Sequence, residues 1–320
     1  MLFFASLLSL VLLWFFLFFH LINSLQGTAW ILLLLIILYI LFAYIGGSKV
    51  TLFVGFIGFL TWIGLQYFSF VDNDSNSGVN FSIGILVLVY LFVGILFYGL
   101  TQIHKAKNHA FTELYRYWTA LYVLLLTYIL SFQTILPYLW IEGFQFTAGI
   151  LIFLVIIGIA AMIAAITGIF TALNARKLSG KEVVGFIVLV GLYIILITTS
   201  ALIPEESIAP NFSGNQSISG PLFMFWIFDN ILFILVILSV IGYGTRYSSP
   251  DLVNLAIVFF AIDIVTRYIG FMMDFGGQLG FAVMSIIGGV ILIAGGWFIE
   301  KWRRRLVERT SQESNEYVIY

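Results

Sequence analysis

The chain alternates between long apolar runs and short polar breaks. Ten runs of mostly apolar residues stand out, each with roughly the 20 residues that an α-helix needs to cross a hydrocarbon core. The runs lack the period-2 alternation of barrel strands, which argues against a membrane β-barrel. The predicted fold class is an all-α integral membrane protein with about ten transmembrane helices. The predicted spans cover residues 2–22, 29–45, 50–71, 81–103, 117–136, 147–173, 183–203, 222–244, 252–272 and 279–299.

The breaks between the runs have turn-forming chemistry. Residues 46–49 read Gly-Gly-Ser-Lys, whereas residues 72–80 and 204–220 are longer loops rich in Asn, Asp, Ser, Gly and Pro. Run 2–22 has no basic leader and is longer than the core of a signal peptide, roughly 7–15 residues, so we predict a retained span. Residues 1–299 are predicted to form a single polytopic transmembrane domain, and residues 300–320 a basic cytoplasmic helix extension and tail.

Composition agrees with this pattern and excludes several kinds of function. The 320 residues are 62% hydrophobic and 9% charged, whereas a soluble domain carries roughly 25% charged residues. A net charge of −1 argues against nucleic acid as a partner, because binding phosphates needs a basic surface. The chain has no cysteine, which excludes disulfides, thiolate metal sites and iron–sulfur clusters. No motif indicates a cofactor or a metal ion.

The basic residues predict how the chain is oriented. Thirteen of the 14 fall on alternate connections or on the tail after the last span, and the positive-inside rule places that face in the cytoplasm. Both termini are therefore predicted to be cytoplasmic. These residues are Lys49, Lys105, Lys107, Arg116, Arg176, Lys177, Lys181, Arg246, Lys301, Arg303, Arg304, Arg305 and Arg309.

The cytoplasmic connection at residues 104–116 has a mixed basic and aromatic character. Phe111, Tyr115 and nearby Trp118 lie among basic residues, a composition typical of a short amphipathic helix on lipid headgroups. His104 and His109 are five residues apart, off a common helical face and without a third ligand nearby, so they do not indicate a metal site.

Three ionisable residues fall inside the eighth and ninth predicted spans: Asp229, Asp263 and Arg267. Each would cost about 2.5–3.5 kcal/mol at the centre of a lone helix. Asp263 and Arg267 are four apart and can pair on one helical face. Arg267 is also the one basic residue outside the cytoplasmic pattern. We place Asp229 and Arg267 roughly 8–10 Å below the outer interface, at 1.5 Å per residue.

We therefore predict a polar pocket that opens toward the outside, built around Arg267 with Asp229 and Asp263. The alternative is a structural ion pair that locks spans eight and nine together without binding a ligand. The same outer layer is predicted to hold other polar side chains: His20, Gln66, Gln133, Asn230 and Asp274.

The last span and the tail carry two further patterns. Glycine pairs at 288/289 and 295/296 are seven residues apart, which predicts a smooth face for close helix packing. The cluster Arg303, Arg304 and Arg305 is suited to anionic lipid headgroups, although topological anchoring alone would also explain it. Membrane lipids are thus the predicted partners of the tail.

The C-terminal part resembles a known bacterial family. The series runs from Asn254-Leu255-Ala256 through Arg267-Tyr268-Ile269 and Gly288-Gly289 to the basic residues after Trp297, about residues 254–309. It is similar to the closing spans of predicted polytopic inner-membrane proteins, a family catalogued as a domain of unknown function. The resemblance implies a multi-pass protein of the plasma membrane, the inner membrane of a bacterium. It also implies that Arg267 and Tyr268 belong together, and Tyr268 joins Arg267, Asp263 and Asp229 as a predicted substrate-binding residue.

Three classes of function are compatible with these features. A small-molecule or ion transporter comes first, because many spans with a buried charged site and short loops are typical of a translocation path. A membrane enzyme acting on a lipid-linked substrate at the outer face comes second, with Asp229 and Asp263 as its acid or base. A non-catalytic scaffold or sensor comes third.

Overall fold

The computed structural model describes residues 25–73, 83–132, 147–200 and 220–275, with the single residues 297, 301 and 304. Every element in those four ranges is an α-helix, and no strand occurs within them. The helices are α1 (Leu25–Gly46), α2 (Lys49–Asn73), α3 (Ile83–Ala106), α4 (Thr112–Leu130), α5 (Ala148–Asn174), α6 (Gly180–Ser200), α7 (Gly220–Arg246) and α8 (Pro250–Phe275).

The helices bear out an α-helical membrane protein. Within the described ranges, six segments are long and apolar enough to cross a membrane, namely Gln26–Gly46, Lys49–Val71, Gly84–Ala106, Ala148–Asn174, Met224–Arg246 and Pro250–Ile269. Each of the eight predicted spans between residues 29 and 272 overlaps one helix. The predicted spans 2–22 and 279–299, and with them the glycine pairs of the last span, lie outside the described residues.

The predicted headgroup helix at residues 104–116 is wrong. Helix α3 continues to Ala106 and α4 already begins at Thr112, so only a short turn separates them. Phe111, Tyr115 and Trp118 are 2%, 3% and 4% exposed. The aromatic side chains of this segment are therefore part of the protein core and do not lie on lipid.

The chain divides into two compact units. Unit 1 comprises Met1–Tyr115 and Tyr138–Glu205, and unit 2 comprises Arg116–Pro137 and Glu206–Tyr320. Unit 1 holds α1, α2, α3, α5, α6 and the first turn of α4. Unit 2 holds the rest of α4 together with α7 and α8.

In unit 1, α3 and α5 approach each other closely at two glycines. A Cβ atom built on Gly99 would lie 2.3 Å from the carbonyl carbon of Ala164, and one built on Gly168 would lie 2.3 Å from the carbonyl oxygen of Gly99. Because no side chain fits there, the two backbones pack directly, as small residues allow in membrane helices. Around this contact, α1 packs along α2, and the rings of Tyr98 in α3 and Phe186 in α6 stack at 3.8 Å.

The basic turns of unit 1 lie together at one end. The Nζ atom of Lys177 donates to the backbone carbonyls of Lys105 and Ala106, at 3.1 and 3.3 Å, and to the side-chain oxygen of Asn108. Lys105 in turn lies 3.7 Å from Glu182. The connections 107–111 and 175–179 therefore meet, as they should if both lie on the same face of the membrane.

In unit 2, α7 packs along α8 and the end of α4 contacts both. The ring of Tyr128 in α4 lies 5.7 Å from Phe233 in α7 and 6.2 Å from Phe259 in α8. The Tyr128 hydroxyl also donates to Thr266 at 3.0 Å. These contacts bring the C-terminal end of α4 beside the C-terminal half of α8, where Arg267 lies.

Candidate functional site

Arg267 and Asp263 lie one turn apart on α8 and form the predicted pair. The Nε atom of Arg267 donates to Oδ1 of Asp263 at 3.1 Å. The Arg267 side chain is 28% exposed and that of Asp263 is 15% exposed. The i, i+4 spacing produces this contact directly, because such residues are neighbours on a helix surface.

The guanidinium of Arg267 also reaches the end of α4. Its Nη2 atom donates to the backbone carbonyl of Ser131 at 2.8 Å and to the Ser131 hydroxyl at 2.6 Å. The hydroxyl in turn donates to the carbonyl of Tyr128 at 2.7 Å. The last carbonyls of a helix lack intrahelical partners and carry partial negative charge, so a cation is stabilised at that position.

An aromatic ring covers one face of the guanidinium. The Cζ atom of Arg267 lies 4.9 Å from the centroid of the Phe132 ring, within the range of a cation–π interaction. Arg267 is thus held by an anion, a helix end and a ring at once. This arrangement fixes the planar group in one orientation, which a flexible lysine would not achieve.

A third helix is joined to the same point through Asn230. Its Nδ2 atom donates to the Ser131 carbonyl at 3.3 Å and to the carbonyl of Trp226 at 2.6 Å. The Ser131 carbonyl therefore accepts from both α7 and α8. Asn230 and Arg267, which the sequence placed in one layer, therefore meet at one carbonyl, while their depth in the membrane stays a prediction.

The described residues use only part of the hydrogen-bonding capacity of Arg267. A guanidinium has five N–H donors, and the described bonds use Nε and Nη2. No hydrogen bond from Nη1 occurs among the residues that the structure describes, and Nη1 is not among the fully buried unpaired atoms. Within the described residues, the two Nη1 donors of this partly exposed side chain have no protein acceptor.

The sequence predicted that Asp229 joins Arg267 and Asp263, but Asp229 lies outside this hydrogen-bond network. Its side chain is 3% exposed, and neither carboxyl oxygen has a hydrogen-bond partner in the described part of the chain. It shares one face of α7 with buried Leu232, Phe233 and Val236, at the i+3, i+4 and i+7 spacing of a core stripe. Arg267 is therefore compensated by Asp263 and Ser131, and Asp229 is a separate buried group.

The alternative of an ion pair that locks the eighth and ninth spans together also needs correction. Both partners of the pair lie on α8, so the ion pair itself joins no two helices. The links between helices are made instead by Ser131, to Arg267 of α8 and to Asn230 of α7.

The other predicted residues fall in different places. Tyr268 follows Arg267 on α8 and is half-buried, about 100° further around the helix axis. Gln66 is 1% exposed and belongs to unit 1. His20, Gln133 and the side chain of Asp274 lie outside the described residues, as do the tail arginines 303 and 305. A ligand-binding role for Arg267, Asp263, Asp229 and Tyr268 stays a prediction.

Sequence reasoning missed Ser131 and Phe132. Both fall within the predicted span 117–136, and nothing in their spacing distinguishes them from other residues near a helix end. One signal was available: the last turn of α4 contains no basic residue, so its free carbonyl groups needed a cation from elsewhere in the chain, and Arg267 is one. No group of three or more metal-ligating side chains occurs within the described ranges.

A second polar cluster, which the sequence also did not reveal, lies in unit 1. The hydroxyl of Tyr44 is 2.6 Å from Nε2 of His104 and 2.8 Å from the hydroxyl of Tyr115. The His104 Nδ1 atom is 2.7 Å from the carbonyl of Leu100, which requires the ring proton to be on Nδ1 and leaves Nε2 to accept from Tyr44. The chain of bonds ties α1 to α3 and to the first turn of α4.

Comparisons of the chain with protein-family models, with curated proteins and with solved structures found no match.

Proposed function

We propose that this protein is a multi-pass membrane transporter that binds an anionic group of its substrate at Arg267. The observation that carries the proposal is a guanidinium that Asp263, Ser131 and Phe132 hold in place within a membrane-spanning helix, while its side chain stays 28% exposed and its Nη1 group bonds to no described residue. Ionisable groups at such depth are costly, and in membrane proteins they mark substrate or ion pathways.

The arrangement of Arg267 favours a carboxylate or a phosphate as the bound group. A fixed guanidinium presents N–H donors in a plane that matches those oxyanions. Asp263 neutralises the positive charge when no ligand is present, so the empty site does not carry an uncompensated cation. A substrate anion would share the guanidinium with Asp263, so the nearby carboxylate would weaken the binding of the anion and favour its release.

The proposal includes the full topology predicted from the sequence. With ten spans and both termini in the cytoplasm, the Arg267 end of α8 faces outward and the short basic turns face inward. The meeting of the turns at Lys105 and Lys177 in unit 1 supports this orientation. We place the protein in the plasma membrane, the inner membrane of a bacterium, with Arg303, Arg304 and Arg305 of the tail at anionic headgroups.

Counterflow exchange in liposomes tests transport directly. The purified full-length protein is reconstituted and challenged with labelled inorganic phosphate, acetate and succinate as probes. We expect exchange of at least one probe by the wild type. Arg267→Ala should lose it, and Arg267→Lys should lose about tenfold or more in apparent affinity, since a bond to a charged group is worth about 1.5–3 kcal/mol.

A matched arginine on the same unit serves as the control. Arg246 is the last residue of α7, and its guanidinium carbon lies 5.8 Å from the Tyr247 ring. Arg246→Gln therefore removes a cation beside the start of α8, whereas Arg267 lies near the end of α8. Exchange should persist in that variant. Wild-type exchange in Arg267→Ala would contradict the proposal, as would a total absence of exchange of any carboxylate or phosphate by the wild type.

A further inference from the structure

We propose that Asp229 is a proton-binding group that couples the movement of protons to transport. Asp229 is held as a neutral carboxylic acid inside the bundle, and it releases the proton when α7 moves and water reaches the side chain. The inference rests on the proposed transport function. It assigns a co-substrate, the proton, to a residue outside the Arg267 network.

The environment of Asp229 differs from those of Asp263 and Arg116, two other charged residues of unit 2. Asp263 binds Arg267 at 3.1 Å, and the guanidinium of Arg116 lies 6.0 Å from the Tyr247 ring. Asp229 is 3% exposed and both of its oxygens lack a hydrogen-bond partner in the described part of the chain. An ionised carboxylate without water or a partner is costly by many kcal/mol, and such groups take up a proton instead.

The described ionisable groups of α4 and α8 do not compensate Asp229. Helix α7 packs with α8 and with the end of α4. None of the ionisable side chains that the structure describes in the same half of those helices bonds to the Asp229 carboxyl group. They are Tyr122, Tyr128, Asp263, Arg267 and Tyr268.

A proton fits this position better than a metal cation. Hard cations take about six or more oxygen ligands, whereas the residues one to two turns after Asp229 on its face of α7, Leu232, Phe233 and Val236, are buried and apolar, and Phe225 and Trp226 one turn before it offer no side-chain oxygen. A single carboxyl oxygen is enough to bind a proton. The step is balanced as carboxylate plus one proton giving carboxylic acid on one side of the membrane, and the reverse on the other.

The position of Asp229 in the chain gives it a link to the substrate site. Asn230 follows it directly and donates to the Ser131 carbonyl at 3.3 Å, the longest of the bonds to that residue. Arg267 donates to the same carbonyl at 2.8 Å. Asn230 and Arg267 thus share one acceptor, so a movement of α7 that brings Asp229 to water would also change the contacts of the carbonyl that holds Arg267.

Infrared spectroscopy of the purified full-length protein tests the protonation without any substrate. A protonated carboxylic acid has a C=O stretch that is separate from that of a carboxylate and shifts in D₂O. We expect this band in the wild type at neutral pH, its loss in Asp229→Asn and its retention in Asp263→Asn. Asp229→Glu should keep a band at a shifted position. A wild type without the band, or a band that survives Asp229→Asn, would overturn the proposal.

Transport against a gradient tests the coupling. One pH unit across the liposome supports about tenfold accumulation for one proton per substrate. With a probe that the wild type exchanges, Asp229→Asn should reduce gradient-driven accumulation about tenfold, to equilibration, while counterflow continues. Equal accumulation by wild type and variant would disprove coupling through Asp229. If the wild type exchanges no probe, the transport function fails, and the infrared band still decides the protonation of Asp229.

Discussion

Arg267 and Ser131 are 136 positions apart in sequence, yet two hydrogen bonds, of 2.6 and 2.8 Å, join the guanidinium of one to the hydroxyl and carbonyl of the other. Through this contact, a cation from α8 caps the C-terminal end of α4. Because Asn230 of α7 donates to the same carbonyl, the helices α4, α7 and α8 converge on one peptide group.

The Ser131 hydroxyl should contribute measurably to stability. Ser131→Ala removes the acceptor at 2.6 Å from Nη2 but keeps the carbonyl contact. A hydrogen bond to a charged group is worth about 1.5–3 kcal/mol, so we expect a lower thermal unfolding temperature in detergent. Ser239→Ala is the control, because the Ser239 hydroxyl is exposed and bonds only within its own helix, to the carbonyl of Leu235. Equal unfolding temperatures for both variants would contradict the assigned contact.

A double-mutant cycle should show that Asp263 and Arg267 act together. Asp263→Asn leaves the guanidinium without its counter-charge, and Arg267→Gln leaves the carboxylate without its partner. Each single variant should unfold earlier than the wild type, and the double variant should recover part of the loss. Coupling energies of about 0.5–3 kcal/mol are usual for residues in one network. Strictly additive losses, measured by denaturant unfolding, would show that the pair is not coupled.

The Gly168 contact should not tolerate a side chain. A Cβ atom at that position would lie 2.3 Å from the backbone oxygen of Gly99, so Gly168→Ala forces α3 and α5 apart. Overpacking of this kind costs about 1–3 kcal/mol. Gly191→Ala in α6 is the matched control, because a Cβ atom there meets nothing within 4 Å and alanine is the better helix former. Thermal unfolding of both variants in one detergent measures the difference, and a Gly168→Ala protein as stable as wild type would refute the close packing.

The Tyr44 hydroxyl should be needed for the hydrogen-bond chain of unit 1. Tyr44→Phe removes the partner of both His104 and Tyr115. A buried polar group left unsatisfied costs about 1–3 kcal/mol, so the variant should unfold earlier. Tyr39→Phe in the same helix should have little effect, because no hydrogen bond of its hydroxyl occurs among those described. If the two variants behave alike in thermal unfolding, the cluster contributes nothing to stability.

The helices could be predicted from sequence because bilayer thickness imposes a minimum run length on each span. The Asp263–Arg267 pair could be predicted because helix geometry places i and i+4 side by side. Both are local relationships. The turn at residues 107–111 was predicted wrongly, since basic and aromatic residues at a membrane interface have the same composition whether the rings lie on lipid or pack against their own protein.

The remaining contacts depend on how helices far apart in sequence are placed. Depth along a span says how close Asp229 lies to an interface, but it does not say which direction the side chain takes around α7. For that reason the sequence grouped Asp229 with Arg267, and the structure leaves it among apolar side chains. The packing of Gly99 on Gly168 was hidden for the same reason, because single glycines in two separate helices form no visible pattern.

Lys177 has two roles at different times in the life of the protein. In the proposed orientation, its charge would help to retain the connection between α5 and α6 on the cytoplasmic side during insertion. Once the chain has folded, the same ammonium group donates hydrogen bonds to oxygen atoms of Lys105, Ala106 and Asn108. A substitution such as Lys177→Gln would therefore disturb both the direction in which a span enters the bilayer and the junction that later closes around it. Defects in biogenesis and in fold at this position would have a single chemical origin.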